Sequence, residues 1–170
     1  MSKIVKLGEI LKLEYGKSLS DEDRDVNGAY GAYGANGIKS RTNKFLYSKP
    51  SIVVGRKGSA GELTLVNEKF WALDVSYYVT HDDNETDLMY LYYVLKTKNL
   101  PSFAKGIKPG LNRNEVYELK ISLPTINDQK NAVKKLDSVF NEIEKVKELT
   151  KSKLNEIESL RYAFLSQFIT

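Results

Sequence analysis

The chain has 170 residues, of which 28% are charged and 41% are apolar, a composition typical of one globular domain with a further element. It has no cysteine and a single histidine, His81, which excludes disulfide scaffolds, thiolate zinc sites and multi-histidine metal sites. The formal net charge of +4 is too small to indicate a partner by itself. Since no apolar run approaches the roughly 18–20 residues that span a bilayer, we expect no membrane association and a cytoplasmic location.

The first part of the chain predicts a mixed domain of strands and short helices. Short apolar runs bounded by Gly, Asn or Pro predict strands at residues 10–15, 51–55, 63–66 and 75–80. Between the first two we predict a long loop, residues 16–49, because Gly, Ala, Asn and Tyr are frequent there. Asn84 or Thr86 is expected to cap a helix that runs through Leu95, and Asn112 a short helix. A further strand is predicted at residues 116–123.

After Pro124 the sequence predicts one long helix. Residues 125–170 contain no Gly or Pro, and Thr125 with Asp128, or Asn127, can cap the start. Two series of positions seven residues apart form a largely apolar seam over more than four heptads, which indicates a coiled coil. The first series is Leu136, Ile143, Thr150, Ile157 and Phe164, and the second is Phe140, Lys147, Leu154, Arg161 and Phe168.

Such a helix of about 42 residues would be ~60 Å long, more than a domain of this size covers. Its seam therefore needs a partner helix, from a second copy or from another protein. We expect a dimer interface at Leu136, Phe140, Ile143, Leu154, Ile157 and Phe164. The fold class predicted from these patterns is α+β, with a mixed α/β domain over residues 1–123 and a long C-terminal coiled-coil helix over residues 124–170.

The basic residues are placed unevenly. Residues 26–61, the first basic stretch, contain no acid but six bases: Lys39, Arg41, Lys44, Lys49, Arg56 and Lys57. Residues 88–114, the second basic stretch, contain no acid but five bases: Lys96, Lys98, Lys105, Lys108 and Arg113. If folding brings the two stretches together, they form a positive face that attracts nucleic acid. The alternative is that these charges scatter over a solvated surface.

Three segments carry candidate chemistry. Residues 28–37, rich in Gly and Tyr, are either a recognition loop or an ordinary turn-rich connection. Residues 52–61 are a strand and a glycine turn whose amides, with Arg56 and Lys57, can hold a phosphate, although a plain hairpin tip fits equally well. Glu118 and Lys120, on the strand predicted at residues 116–123, match half of a metal-dependent nuclease site, for which Asp74 is the candidate on a neighbouring strand.

Five motifs, taken in order, resemble the specificity (S) subunit of type I restriction–modification enzymes. They are Val5-Lys6-Leu7-Gly8-Glu9-Ile10 with Tyr15-Gly16-Lys17-Ser18, Tyr30-Gly31-Ala32-Tyr33-Gly34-Ala35-Asn36-Gly37-Ile38, Val54-Gly55-Arg56-Lys57-Gly58-Ser59-Ala60-Gly61 with Phe70-Trp71-Ala72-Leu73-Asp74, Gly106-Ile107-Lys108-Pro109-Gly110-Leu111-Asn112-Arg113 with Ile121-Ser122-Leu123-Pro124 and Gln129, and Leu160-Arg161-Tyr162-Ala163-Phe164-Leu165. Family members typically carry two recognition domains and two long helices, whereas this chain carries one of each. It therefore resembles a half-subunit.

The resemblance implies a non-catalytic protein. Residues 1–123 would be a DNA target-recognition domain, and residues 124–170 a spacer and dimerisation helix. A homodimer would recognise an interrupted palindrome in double-stranded DNA and position DNA adenine methyltransferase subunits, with or without restriction and translocase subunits. S-adenosylmethionine, ATP and magnesium would belong to those partner subunits, and we expect no cofactor or metal in this chain.

The resemblance also implies which residues contact DNA. We expect contacts from Tyr30, Tyr33, Asn36, Lys39, Arg41, Arg56, Lys57, Lys105, Lys108, Asn112 and Arg113. Asn36, Arg41 and Asn112 are expected to read bases, and the lysines to contact phosphates. Two alternatives stay open: a stand-alone metal-dependent DNA endonuclease that uses Asp74, Glu118 and Lys120, and a coiled-coil adaptor that does not touch DNA.

Overall fold

The computed structural model describes residues 2–169 and begins with a small two-stranded sheet. Strand β1 (Lys3–Lys6) pairs antiparallel with β9 (Lys120–Leu123), so that Val5 lies opposite Ile121. The one-turn helix α1 (Leu7–Ile10) follows β1 directly. Both ends of the domain's chain therefore meet in the same sheet.

A four-stranded antiparallel sheet forms the centre of the domain. Its strand order is β2 (Leu11–Tyr15), β8 (Ser76–His81), β5 (Ser51–Gly55) and β6 (Leu63–Val66). The predicted strand bounds at residues 51–55 and 63–66 are confirmed, and β2 and β8 lie within one residue of their predicted positions.

Strand β5 is buried along its whole length because it has a core on each face. Ile52 and Val54 pack on one side with Leu13, Leu91 and other residues of the larger core. Val53 points to the opposite side, as the alternation of side chains along a strand requires, and joins a second core around Phe70. The unbroken apolar run of this strand reflects burial on both faces.

Two of the three strands of a third sheet lie in the segment that the sequence predicts to be a loop. Its order is β4 (Gly37–Thr42), β3 (Tyr30–Gly34) and β7 (Phe70–Ala72), with β3 antiparallel to β4 and parallel to β7. The loop prediction for residues 16–49 is therefore wrong here. Glycine content favours a loop, but these glycines allow tight packing, because a Cβ at Gly31 would lie 2.7 Å from the Tyr33 ring.

The two predicted short helices exist, with a correction to the first cap. Helix α2 (Leu88–Thr97) is capped by Asp87, whose carboxylate accepts a hydrogen bond from the Tyr90 amide at 2.9 Å. Thr86 instead is buried and donates to the Asp82 carbonyl. A 3-10 helix (Leu100–Phe103) follows α2, and another (Asp21–Asp23) precedes β3.

The last strand of the domain is shorter than predicted, because a helix occupies the first part of the predicted range. Asn112 caps α3 (Arg113–Tyr117) by accepting a hydrogen bond from the Asn114 amide at 3.0 Å, as predicted. The predicted strand over residues 116–123 is confirmed only from Lys120, because Val116 is buried in the core as part of the helix.

The long C-terminal helix is present as predicted. Helix α4 (Ile126–Ile169) follows Thr125, whose hydroxyl accepts a hydrogen bond from the Asp128 amide at 3.3 Å. The apolar seam side chains are exposed, from 37% for Leu136 to 83% for Phe168. Residues up to Lys130 form one compact unit and residues from Asn131 a second. The α+β fold class with a long C-terminal helix is confirmed. Residue 170, the last residue of the predicted helix, lies outside the described residues.

Gln129, in the first turns of α4, is fully buried among backbone groups of the first unit. Its side-chain oxygen accepts a hydrogen bond from the Asp87 amide at 2.9 Å. Its side-chain nitrogen donates to the carbonyls of Glu85 and Pro124, each at 3.0 Å. One side chain thus satisfies three backbone groups and holds the segment before α2 against the start of α4.

We expect the Gln129→Leu substitution to lower the free energy of unfolding by about 2–4 kcal/mol, because leucine leaves buried backbone groups without a partner. Urea unfolding followed by the fluorescence of Trp71, the single tryptophan, measures this in the first unit. Asn127→Leu, at an exposed position of the same helix, is the control and should change stability by less than about 0.5 kcal/mol. Equal stabilities for the two variants would contradict the role of Gln129.

Candidate nucleic-acid interface

The two basic stretches meet in the folded chain. The Gly58 amide donates a hydrogen bond to the Pro109 carbonyl at 3.0 Å, and the Leu111 amide donates to the Arg56 carbonyl at 2.9 Å. These bonds join the glycine turn after β5 to the segment between α2 and α3. Residues 56–58 of the first basic stretch are therefore in contact with residues 109–111 of the second.

A third segment, the tip of the β3–β4 hairpin, lies against the same glycine turn. Ala35 and Asn36 form the two-residue tip, between the paired residues Gly34 and Gly37. A Cβ placed on Gly55 would lie 2.7 Å from the Ala35 carbonyl oxygen, so the two backbones are in direct contact. We call the hairpin tip, the turn at residues 55–61 and the loop at residues 105–110 together the three-loop face.

The loop at residues 105–110 has a defined shape. Lys105 and Gly110 exchange backbone hydrogen bonds in both directions, at 3.1 and 3.0 Å. Gly106 adopts a φ of +94°, which favours glycine. The Lys105 ammonium lies 2.8 Å from the Glu115 carboxylate, so its charge is partly neutralised at the base of the loop.

Three lysines on or beside the three-loop face have no acidic partner in the described part of the chain. Lys57 and Lys108 are exposed at the glycine turn and the 105–110 loop. Lys39 is exposed on β4, and its side chain passes over Gly34, whose added Cβ would lie 2.7 Å from Lys39 Cγ. Within residues 2–169 none of these three ammonium groups forms an ion pair. The face therefore offers uncompensated positive charge to an anionic ligand.

Two arginines pack on one tyrosine beside this face. The guanidinium carbons of Arg56 and Arg113 lie 5.4 and 4.7 Å from the centre of the Tyr15 ring, within the range of cation–π contacts. Arg56 also donates two hydrogen bonds, at 2.9 and 2.6 Å, to the Asp74 carbonyl, and Arg113 donates one to the Leu13 carbonyl at 3.1 Å. Backbone contacts thus fix the position of both positive charges.

Tyr77 packs against the Tyr15 ring and contacts the second basic stretch. Burial first, and then the neighbouring Tyr15, raise the pKa of Tyr77 to about 12, although Arg56 and Arg113 partly oppose the shift. The phenol therefore stays protonated at neutral pH, and it donates a hydrogen bond to the Leu111 carbonyl at 3.2 Å. This contact fixes the segment that leads into α3.

The side chains of several predicted contact residues are engaged in packing or hydrogen bonds within the domain. Tyr33 is buried against Phe70. The Arg41 guanidinium donates to the Gly28 and Ala29 carbonyls at 2.7 and 3.0 Å. Asn112 caps α3, and the Tyr30 ring packs on Phe45 with 5.4 Å between ring centres. These side chains shape the segments that carry the exposed groups.

Two residues of this region, Tyr15 and Ile107, are not among the contact residues expected from the sequence. Tyr15, 48% exposed, holds both arginines, but nothing in its strand pattern distinguishes it from an ordinary surface tyrosine. Ile107 is fully exposed in the loop at residues 105–110. Its signal was present in the sequence, since an isoleucine stands between Lys105 and Lys108 in a stretch without acids.

The nuclease alternative is not supported by the geometry. Glu118 is not on a strand but ends α3, and it forms an ion pair with Lys6. Lys120 lies on β9, whose partner in its two-stranded sheet is β1, and β1 contains no acid. Asp74 follows β7 in a different sheet. The predicted carboxylate on a neighbouring strand is therefore wrong.

Residues 2–169 contain no group of three or more His, Cys, Asp or Glu side chains placed to hold a metal ion. In the same part of the chain, no helix is both long and apolar enough to cross a membrane.

Comparison with known proteins identifies the family. The sequence model described as "Type I restriction modification DNA specificity domain" matches residues 2–159. The specificity subunit of the type I restriction enzyme EcoprrI from Escherichia coli is 26% identical over 155 residues, which cover 86% of this chain and 38% of the relative. A putative type I specificity subunit from Mycoplasma pneumoniae is 32% identical and matches 84% of this chain and 40% of its own length. The chain thus spans about two fifths of the length of these relatives.

Solved structures share the fold. The S subunit of a type I restriction–modification system from M. genitalium superposes with a TM-score of 0.73 and 26% identity, over 84% of this chain and 39% of that one. A structure from work on complex assembly of the type I R-M system has a TM-score of 0.78 at 15% identity, over 94% and 43% of the two chains. The chain therefore belongs to the type I restriction–modification DNA specificity family, whose members are non-catalytic DNA-recognition components.

Proposed function

We propose that this chain is a half-size specificity subunit that binds a specific half-site in double-stranded DNA through the three-loop face. The observation that carries the proposal is the meeting of three separate loops around exposed, unpaired lysines. DNA backbones attract such clusters, and protruding loops reach base edges in the grooves. The family match supports the same function.

Within the face we assign different roles to the exposed and the internally bonded side chains. Asn36, at the hairpin tip, is the proposed base reader, because its amide donates and accepts hydrogen bonds. Lys39, Lys57 and Lys108 are the proposed phosphate contacts, and Lys105, which is exposed although it pairs with Glu115, is a fourth. The side chains with internal bonds position these groups, and that set is Tyr30, Tyr33, Arg41, Arg56, Asn112 and Arg113.

We expect Lys57→Ala to weaken binding to all DNA sequences alike and to flatten the dependence of log affinity on log salt by about one unit, because one phosphate contact is lost. Fluorescence anisotropy with labelled duplexes over a salt series measures this. Lys3→Ala, an exposed lysine on the β1–β9 sheet, is the matched control and should leave the slope unchanged. A loss confined to one sequence would instead make Lys57 a base reader.

We propose that a second copy of this chain covers the apolar seam of α4. Coiled-coil pairing buries seam residues such as Leu136, Ile143, Leu154 and Ile157, which are exposed in the single chain. An antiparallel pair gives the twofold symmetry that an interrupted palindrome requires.

We expect the intact chain to have twice the mass of 19.3 kDa by light scattering at micromolar concentration. Leu154→Lys should shift the equilibrium to the monomer, because it places a charge in the seam. Ser152→Lys adds the same charge two residues away, outside the seam, and should leave the dimer intact. A monomeric wild-type chain would contradict the homodimer.

We further propose that this dimer positions DNA adenine methyltransferase subunits, and restriction and translocase subunits where the system has them. The support is the family match and a neighbouring structure that concerns complex assembly of a type I R-M system. S-adenosylmethionine, ATP and magnesium would act in those subunits. In this arrangement the length of the helix pair sets the gap between the half-sites.

Inserting one heptad after Thr150 keeps the seam in phase and lengthens the helix by ~10 Å. Because base pairs stack ~3.4 Å apart, each half-site should move outward by up to about three base pairs. Methylation mapping with the methyltransferase partner reads the gap directly. The same heptad inserted after Phe168, at the end of the seam, is the control and should leave the gap unchanged. An unchanged gap in the first variant would show that α4 does not set the spacing.

A further inference from the structure

Ile107 stands out on the three-loop face because it is apolar and entirely solvent-exposed, with a relative accessibility of 105%. Its neighbours Lys105 and Lys108 are also exposed. The isoleucine side chain therefore gains nothing from the fold that presents it. A single exposed isoleucine is ordinary on a protein surface, but its place between exposed lysines on the three-loop face makes Ile107 a candidate contact for a partner.

The loop that carries Ile107 is anchored at both ends. The paired backbone bonds of Lys105 and Gly110 close its base, and the bond from the Gly58 amide to the Pro109 carbonyl fastens it to the glycine turn. Because isoleucine is branched at Cβ, its own χ1 is restricted as well. The side chain is thus presented in a restricted orientation, at low entropic cost for binding.

We propose that Ile107 contacts the C5-methyl group of a thymine in the major groove and so selects thymine at one position of the half-site. This inference rests on the proposed DNA-binding function. It names a residue that determines specificity in addition to the polar contacts proposed above.

The chemistry of the base edges carries the assignment. Isoleucine cannot donate or accept a hydrogen bond, so it cannot read the polar groups of a base or hold a phosphate. Among the four bases, only thymine presents an apolar group in the major groove. The exposed Lys57 and Lys108 can hold phosphates on the same face, which brings the isoleucine close to the groove.

The test uses the full chain and two random-sequence duplex libraries, one with thymine and one with uracil in its place. Uracil keeps the pairing and the O4 acceptor of thymine and lacks only the methyl group. Wild-type protein, Ile107→Ala and Ile4→Ala each select DNA from both libraries at low salt, and the enriched pools are sequenced. Ile4 is the matched control, an exposed isoleucine on β1 between Lys3 and Lys6.

We expect the wild type to enrich thymine at one position about fourfold more strongly than it enriches uracil there, since burying one methyl group contributes ~0.8 kcal/mol. Ile107→Ala should lose this difference and keep the rest of the consensus. Ile4→Ala should behave as the wild type.

Two results would overturn the inference. In the first, Ile107→Ala selects the same consensus as the wild type from both libraries. In the second, 2-aminopurine placed beside the selected thymine becomes fluorescent on binding, which shows that Ile107 inserts between bases instead of contacting a methyl group. If the wild type enriches no sequence from either library, the proposed DNA-binding function itself fails, and the inference fails with it.

Discussion

The candidate interface depends on a backbone approach that only glycine permits. A Cβ at Gly55 would lie 2.0 Å from the Ser59 carbonyl oxygen and 2.7 Å from that of Ala35. The absence of a side chain lets the hairpin tip and the glycine turn pack backbone against backbone. In the same turn, the backbone carbonyl of Arg56 accepts a hydrogen bond from the Leu111 amide, so the segment that follows the 105–110 loop is joined to the turn. One close approach thus brings together three segments that are far apart in sequence.

Strand β5 connects this approach to the rest of the domain. Because it is buried on both faces, its end at Gly55 is held by two hydrophobic cores at once. Loops that read DNA need a support that does not move when they bind, since each mobile group adds an ordering cost. Tyr15, on the neighbouring part of the sheet, adds to this support, because the guanidinium groups of Arg56 and Arg113 both pack over its ring.

The sequence predicts the scaffold better than the surroundings of the candidate contact residues. Apolar runs give the bounds of β5 and β6 without error, and the absence of Gly and Pro after Pro124 gives α4. The β3–β4 hairpin is missed because its glycines serve packing, which composition does not distinguish from loop flexibility. Charge placement predicts where bases gather, but not that Arg41 turns back to the Gly28 carbonyl, since that depends on tertiary geometry.

Each three-loop face carries few uncompensated charges. Pairing through α4 would therefore raise the affinity for DNA as well as set the distance between the half-sites. Lys57, Lys108 and Lys39 are exposed without ion pairs in the part of the chain described, so one face neutralises only a few phosphates. Binding by one copy should therefore be weak and sensitive to salt. Once one copy is bound, a linked second copy meets its half-site at high effective concentration. The affinity of the dimer for the whole site then exceeds that of either copy for its half-site. In the proposed dimer, the helix that spaces the half-sites is thus also the element that makes recognition strong enough to be selective.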